Sequence, residues 1–223
     1  MTALARGGTY PLRIDKLGVV VAALGLSALA FQSFLIFRAN RIVPGEAVPA
    51  WDAMGAGGVA LYAGLGVALL VLLLKTPLAV RLAVSSLALV ALALAVGIGS
   101  SALIPEGDTY ARVSPGPGVW ILRFAFALAL TDALARLRLG PFARVGILIA
   151  VALVLWGILA SGLWDDLAVM REYQSRQSAF FAQLQIHLFL AFGAVTAAVV
   201  VGVPVGIVCY RIPRVRAGIF FFF

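Results

Sequence analysis

The chain has 223 residues, of which 63% are hydrophobic and only 12% are charged, and its mean hydropathy is +1.09. This composition excludes an ordinary soluble domain and is typical of a protein that crosses a membrane several times. The formal charge of +8 does not indicate nucleic-acid binding, because the arginines stand singly or in small groups between apolar runs and form no continuous basic face.

The first long apolar run extends from Leu17 to Phe37, after a short basic arm over residues 1–16. Residues 28–30 resemble the small-residue cleavage site of a signal peptide. The run continues past this point to Phe37, however, which is further than a signal peptide needs. We therefore predict an uncleaved transmembrane helix, followed by a loop over 38–52 that contains two prolines and a glycine.

The second predicted span, Gly55 to Leu74, has small residues at every fourth position, namely Ala56, Ala60, Gly64 and Ala68. Such a stripe predicts a face for close packing against another helix. The start of the span also matches the dinucleotide-binding pattern G-x-G-x-x-A. No strand precedes it and no acidic residue follows at the required distance, so helix packing is the better interpretation.

The third and fifth predicted spans are Leu82 to Ile104, which follows a basic turn over 75–81, and Val145 to Leu163. The next segment, 164–187, mixes charged residues with large apolar ones. We expect it to lie along the membrane surface with its apolar side down. Within it, Ser178 is predicted to be the N-cap of the helix that follows.

The fourth predicted span, Val119 to Leu134, contains Arg123 and Asp132. Nine residues apart, these side chains leave opposite sides of a helix and cannot pair with each other. We predict that Arg123 extends toward the membrane interface. Asp132 is expected to pair with Arg136, one turn further along the helix.

The sixth predicted span is the uncharged stretch from Leu188 to Tyr210, whose 23 residues are long enough to cross a membrane. A proline inside it removes a backbone donor and predicts a kink or local unwinding. Small residues at every fourth position predict a close-packing face. The candidates for helix packing and for lining a translocation path are Ala194, Ala198, Gly202, Pro204 and Gly206.

The distribution of lysine and arginine predicts the orientation of the chain. Alternate loops carry 11 of the 17 basic residues on one side and 5 on the other, which places the amino terminus in the cytoplasm. The apolar residues 217–223 are too few to span a membrane. We therefore expect an all-α membrane bundle of about six complete spans, an interfacial helix and the start of a seventh span in a longer protein.

Few residues in the sequence are suited to ATP binding, metal binding or catalysis. No Walker A sequence is present, so any ATP is expected to bind to a partner chain. The only histidine, His187, and the only cysteine, Cys209, lie about 33 Å apart along a helix, which excludes a shared metal site. Asp165 and Asp166 are explained by a favourable interaction with a helix dipole. We therefore expect no cofactor, no metal and no catalytic residue.

Three segments resemble a known family. The run HLFLAFGAVTAAVVVGVPVGIVCYR, beginning at His187, is similar to the opening helix of the permease domain in ABC importers for glycine betaine and choline. The segment WDDLAVMREYQSRQSAF from Trp164 and the segment NRIVPGE from Asn40 resemble the Yeh branch, whose permeases have extra amino-terminal helices.

The resemblance implies a multi-pass permease subunit in the bacterial inner membrane, usually paired with a second permease copy. Cytoplasmic ATPase subunits would bind ATP, and an extracytoplasmic binding protein would deliver the osmoprotectant. It further implies a five-helix extension over 1–163, the interfacial segment over 164–187 and an incomplete permease domain over 188–223.

Two other functions stay open at this point. Thr196 is the one polar residue noted along 188–210, which favours a non-transporting membrane scaffold or assembly subunit. An intramembrane enzyme would use Asp132 or the pair Asp165 and Asp166.

Overall fold

The computed structural model describes residues 13–212, which form two compact units divided between Arg171 and Glu172. The helices are α1 (Lys16–Phe31), α2 (Ala50–Met54), α3 (Ala56–Leu73), α4 (Leu78–Leu103), α5 (Pro117–Leu137), α6 (Pro141–Ala160), α7 (Ala168–Ser175) and α8 (Gln177–Arg211). The strands are β1 (Leu35–Arg38), β2 (Glu46–Val48) and β3 (Arg112–Pro115).

The predicted all-α membrane class is confirmed. Five of the described helices, α3, α4, α5, α6 and α8, are long and apolar enough to cross a membrane. The predicted start of a seventh span, over 217–223, lies outside the described residues.

In the first unit, α1, α3, α4 and α5 form a four-helix bundle in which α1 contacts α3 and α5 while α4 contacts the same two helices. Large side chains from all four helices fill its centre and are almost completely buried: Val21, Leu69, Leu92, Leu122 and Phe126. Glycines allow the backbones to approach closely. A Cβ atom at Gly18 of α1 would overlap the carbonyl oxygen of Leu72 in α3. This contact fixes the separation of α1 and α3 at one end of the bundle.

The face predicted for close packing on α3 is not the side that is buried in the first unit, where only Ala68 of its four small residues is half-buried against the core. Ala56, Ala60 and Gly64 are exposed, whereas the buried positions of α3 are Gly58 and three leucines further along. A Cβ atom at Gly58 would overlap the backbone of Ala50 in α2, so α2 determines which side of α3 faces inward. That side carries leucines, which bury more apolar surface than alanines would.

A small antiparallel sheet, with strand order β2-β1-β3, closes the other end of the bundle. Leu35 of β1 pairs with Val48 of β2 and Pro115 of β3, and it is completely buried. The prediction that the first span continues to Phe37 is therefore wrong. Helix α1 has 16 residues and a length of about 24 Å, which is shorter than the 30 Å of a typical hydrocarbon core.

The basic turn predicted over 75–81 is also shorter than expected, because α4 begins at Leu78 directly after Pro77. Proline has a fixed φ and lacks a backbone N–H, so it is well suited to the start of a helix. Arg81 therefore lies in the first turn of α4, with 2% of its surface exposed.

The second unit contains the end of α7 and the whole of α8, which has 35 residues. Helix α8 begins at Gln177 and runs without a break through Pro204. Ser178 is therefore inside the helix, and its predicted role as N-cap is wrong: Arg176 occupies that position and makes no capping hydrogen bond through its side chain. The rings of Tyr173 and Phe180 pack edge to face with centroids 5.5 Å apart.

Candidate functional site

Four charged side chains meet at one end of the four-helix bundle, and we call them the charge cluster: Asp15, Arg81, Asp132 and Arg136. Asp15 is the N-cap of α1, and Arg81 lies in the first turn of α4. Asp132 and Arg136 belong to the last turns of α5. The end of α3 lies beside them, so the charge cluster joins the ends of all four helices.

Arg81 is the centre of the charge cluster. Its Nη1 donates hydrogen bonds to the carbonyl oxygens of Leu72 at 3.2 Å and Leu74 at 3.4 Å. Its Nη2 donates to Asp15 Oδ1 at 3.4 Å and lies 4.0 Å from Asp132 Oδ2. Carbonyl groups at the end of a helix lack partners within that helix and carry partial negative charge. One guanidinium therefore donates hydrogen bonds to the end of α3 and to the Asp15 carboxylate, and it lies within ion-pair distance of Asp132.

Asp15 has two structural roles in the charge cluster. Its Oδ1 accepts a hydrogen bond from the backbone nitrogen of Gly18 at 2.8 Å, which caps α1. Burial raises the pKa of the Asp15 carboxyl, but the Gly18 hydrogen bond and the charges of Arg81 and Arg136 outweigh burial and hold that pKa below its ordinary value. Asp15 is therefore ionised at neutral pH and balances the charge of Arg81.

Asp132 pairs with Arg136 as the sequence predicts, since Arg136 Nε donates to Asp132 Oδ1 at 2.9 Å. The second carboxylate oxygen, Oδ2, is buried and has no hydrogen-bond partner among the described residues. The same is true of Arg81 Nε and of Ser85 Oγ, one turn further along α4. Each unpartnered buried polar atom costs about 1–3 kcal/mol, so this region is held together by the ion pairs rather than by complete hydrogen bonding.

Asp15 and Arg81 were not predicted as functional residues, because hydropathy places both in the segments between the apolar runs. Two signals could have identified them. An aspartate directly before an apolar run is a typical N-cap, and Pro77 marks a helix start four residues before Arg81.

At the sheet end of the bundle, Arg171 connects two loops. Its Nη1 donates to the carbonyl oxygens of Asp108 at 2.7 Å and Ala111 at 3.2 Å, and its Nη2 donates to Asp166 Oδ1 at 2.8 Å. The backbone nitrogens of Ala111 and Tyr110 donate to the Asp108 carboxyl and lower its pKa. These contacts hold the loop before β3 against the segment that follows α6.

Two of the three acidic residues that an enzyme would use have structural partners. Asp166 is paired with Arg171, and Asp132 belongs to the charge cluster. Within residues 13–212, no group of three or more histidine, cysteine, aspartate or glutamate residues could hold a metal ion. Arg123 lies with its guanidinium carbon 5.3 Å from the ring centroid of Trp120, in a cation–π contact.

The predicted packing residues of α8 lie in the second unit, and all are exposed. Ala194, Ala198, Gly202 and Gly206 follow one side of the helix, whereas Pro204 lies on another side. Their role in packing or translocation therefore stays a prediction.

One comparison with known proteins identifies the chain. A family model described as the N-terminal domain of the ABC transporter permease YehY matches residues 15–170. No curated protein and no solved structure matches the chain. The matched residues begin at Asp15 and include the four-helix bundle, its charge cluster and the sheet. Because the match covers well over half of the sequence, the chain belongs to the family of the N-terminal domain of the ABC transporter permease YehY.

Proposed function

We propose that this chain is the amino-terminal part of a permease subunit in an ATP-driven importer of glycine betaine-like osmoprotectants. The observation that carries the proposal is the order of the segments along the chain. Residues 15–170 match the N-terminal domain of an ABC permease, and α8 follows at Gln177. Within α8, residues 188–210 resemble the first helix of the translocating domain of such importers.

The division of the chain supports this order. The family match ends at residue 170, and the first compact unit ends at Arg171. We infer that residues 1–163 are the amino-terminal extension, that 164–187 connect it to the permease domain, and that this domain begins at Leu188. The permease would act with cytoplasmic ATPase subunits, an extracytoplasmic binding protein and a second permease copy.

The orientation inferred from basic residues places the charge cluster at the cytoplasmic end and the sheet outside. In that orientation α8 enters the membrane from outside and ends at Arg211 on the cytoplasmic side. We infer that its small-residue face, from Ala194 to Gly206, packs against other helices of the permease domain. Close packing of this kind is what small residues allow between helices in lipid.

A second candidate function is a membrane scaffold that assembles with transport proteins without forming a path. The observation that favours a scaffold is the surface of α8, which is apolar and exposed along its length. Such a surface suits association with another helix as well as it suits transport. The ion pairs of Asp132 and Asp166 do not favour the third candidate, an intramembrane enzyme.

The test is purification of the natural permease from inner membranes, followed by reconstitution with its ATPase and binding protein. We expect the ATPase to co-purify and glycine betaine to enter vesicles only with ATP. Gly202→Leu should reduce uptake by about tenfold or more, because it blocks the small-residue face of α8. Gly193→Leu, on another face of the same helix, is the matched control and should retain most uptake.

Stable co-purification without uptake of any quaternary amine would establish the scaffold instead. If Gly193→Leu and Gly202→Leu impair uptake equally, the assignment of the packing face is wrong.

A further inference from the structure

A cleft of about 430 Å³ lies between α5 and α6, near the turn that joins them. Its walls consist of Thr131, Leu134 and Ala135 from α5, Leu139 from the turn, and Arg144, Ile147 and Leu148 from α6. Apart from the threonine and the arginine, these side chains are apolar. The cleft belongs to the same end of α5 as the charge cluster, since Asp132 and Arg136 are in its last turns.

Helix α6 leaves this cleft open to the membrane. Ile158 is its one buried residue, and the start of the helix, which borders the cleft, is exposed or half-buried throughout. The apolar walls of the cleft suit an apolar occupant.

Arg144 lines the cleft, and Arg138 is the C-cap residue of α5 in the turn between α5 and α6. Arg144 Nε donates to the carbonyl oxygen of Leu139 at 3.0 Å, which fixes the guanidinium at the cleft. Among the described residues, neither Arg144 nor Arg138 forms an ion pair. Asp132 is neutralised by Arg136, so no free carboxylate from α5 opposes this positive charge. An arginine fork matches the geometry of a phosphate group.

A phospholipid matches both features of the cleft. Its acyl chains are apolar like most of the walls, and its phosphate is an anion that an arginine fork binds.

We propose that this cleft binds an anionic phospholipid, with an acyl chain between α5 and α6 and the phosphate held by Arg144 and Arg138. The proposed orientation places the cleft in the cytoplasmic leaflet, where basic pockets between spans bind anionic headgroups. The proposal depends on the geometry of α5 and α6 and does not depend on which solute the permease carries.

The test is native mass spectrometry of the purified full-length permease with equal amounts of phosphatidylglycerol and phosphatidylcholine of identical acyl chains. We expect phosphatidylglycerol to be retained preferentially. Combining Arg138→Gln with Arg144→Gln should lower its retention by about tenfold, because hydrogen bonds to charged groups are among the stronger ones. Lys75→Gln removes a positive charge outside the cleft and should leave retention unchanged.

A second variant tests the apolar part of the site. Ala135→Phe fills the cleft while both arginines are kept, so retention of phosphatidylglycerol should fall with the charge unchanged. Thermal unfolding of each variant verifies that it is folded. Equal retention of the two lipids by the natural permease would overturn the proposal, and so would a Lys75→Gln effect as large as that of the arginine substitutions.

Discussion

Replacing Arg81 by methionine is expected to lower the thermal unfolding midpoint of the detergent-solubilised chain by about 10 °C. The substitution leaves the carboxylates of Asp15 and Asp132 without their buried partner, and the carbonyl groups of Leu72 and Leu74 lose a donor. Breaking a buried ion pair from one side typically costs about 3–5 kcal/mol. In a domain of roughly this size, each kcal/mol corresponds to about 2–4 °C.

The matched control is Arg176→Met, which removes an exposed arginine that pairs with Glu172 four residues earlier. A surface pair of this kind contributes less than about 1 kcal/mol, so the midpoint should change little. Adding Asp15→Asn to Arg81→Met should recover part of the loss, because it removes the carboxylate left without its ion-pair partner, and asparagine can still cap α1. If Arg81→Met and Arg176→Met unfold at the same temperature, the charge cluster does not stabilise the bundle.

Replacing Gly18 by alanine is expected to destabilise the chain by about 3 kcal/mol, a large effect for a single methyl group. The new Cβ would overlap the carbonyl oxygen of Leu72, which is part of the backbone and cannot rotate away. Moving α1 away from α3 would also stretch the hydrogen bond from the backbone nitrogen of Asp15 to the carbonyl oxygen of Leu73 and the ion pair between Asp15 and Arg81. Chemical denaturation in mixed micelles, followed by circular dichroism, measures the loss.

Gly64→Ala is the control for this substitution, because a Cβ there would meet nothing within 4 Å. Alanine is the better helix former, so this variant should be neutral or more stable by up to about 1 kcal/mol. Similar losses for Gly18→Ala and Gly64→Ala would mean that α1 and α3 do not approach closely.

The long spans could be predicted from the sequence because about 20 consecutive apolar residues are themselves the signal for a membrane helix. The same signal misplaced the end of the first helix. Residues of β1 such as Leu35 are as apolar as those of α1, and hydropathy does not separate a buried strand from a buried helix. The difference depends on pairing with Val48 and Pro115, which are distant in sequence.

The charge cluster was predictable only where its contacts are local. Asp132 and Arg136 are one helical turn apart, so the spacing alone predicts their pair. Asp15 and Arg81 are 66 residues apart and meet only because α1 and α4 both pack against α3 and α5. Neither composition nor periodicity contains that information.

The orientation of the bundle is tested most directly by single-cysteine labelling in spheroplasts, with Cys209→Ser as the background. Ile42, which is 93% exposed at the sheet end, and the exposed Lys75, in the turn between α3 and α4, are each replaced by cysteine. A membrane-impermeant maleimide should label Ile42→Cys in sealed spheroplasts and Lys75→Cys only after permeabilisation. The reverse pattern, or labelling of both positions in sealed spheroplasts, would contradict a bundle that crosses the membrane with its charge cluster in the cytoplasm.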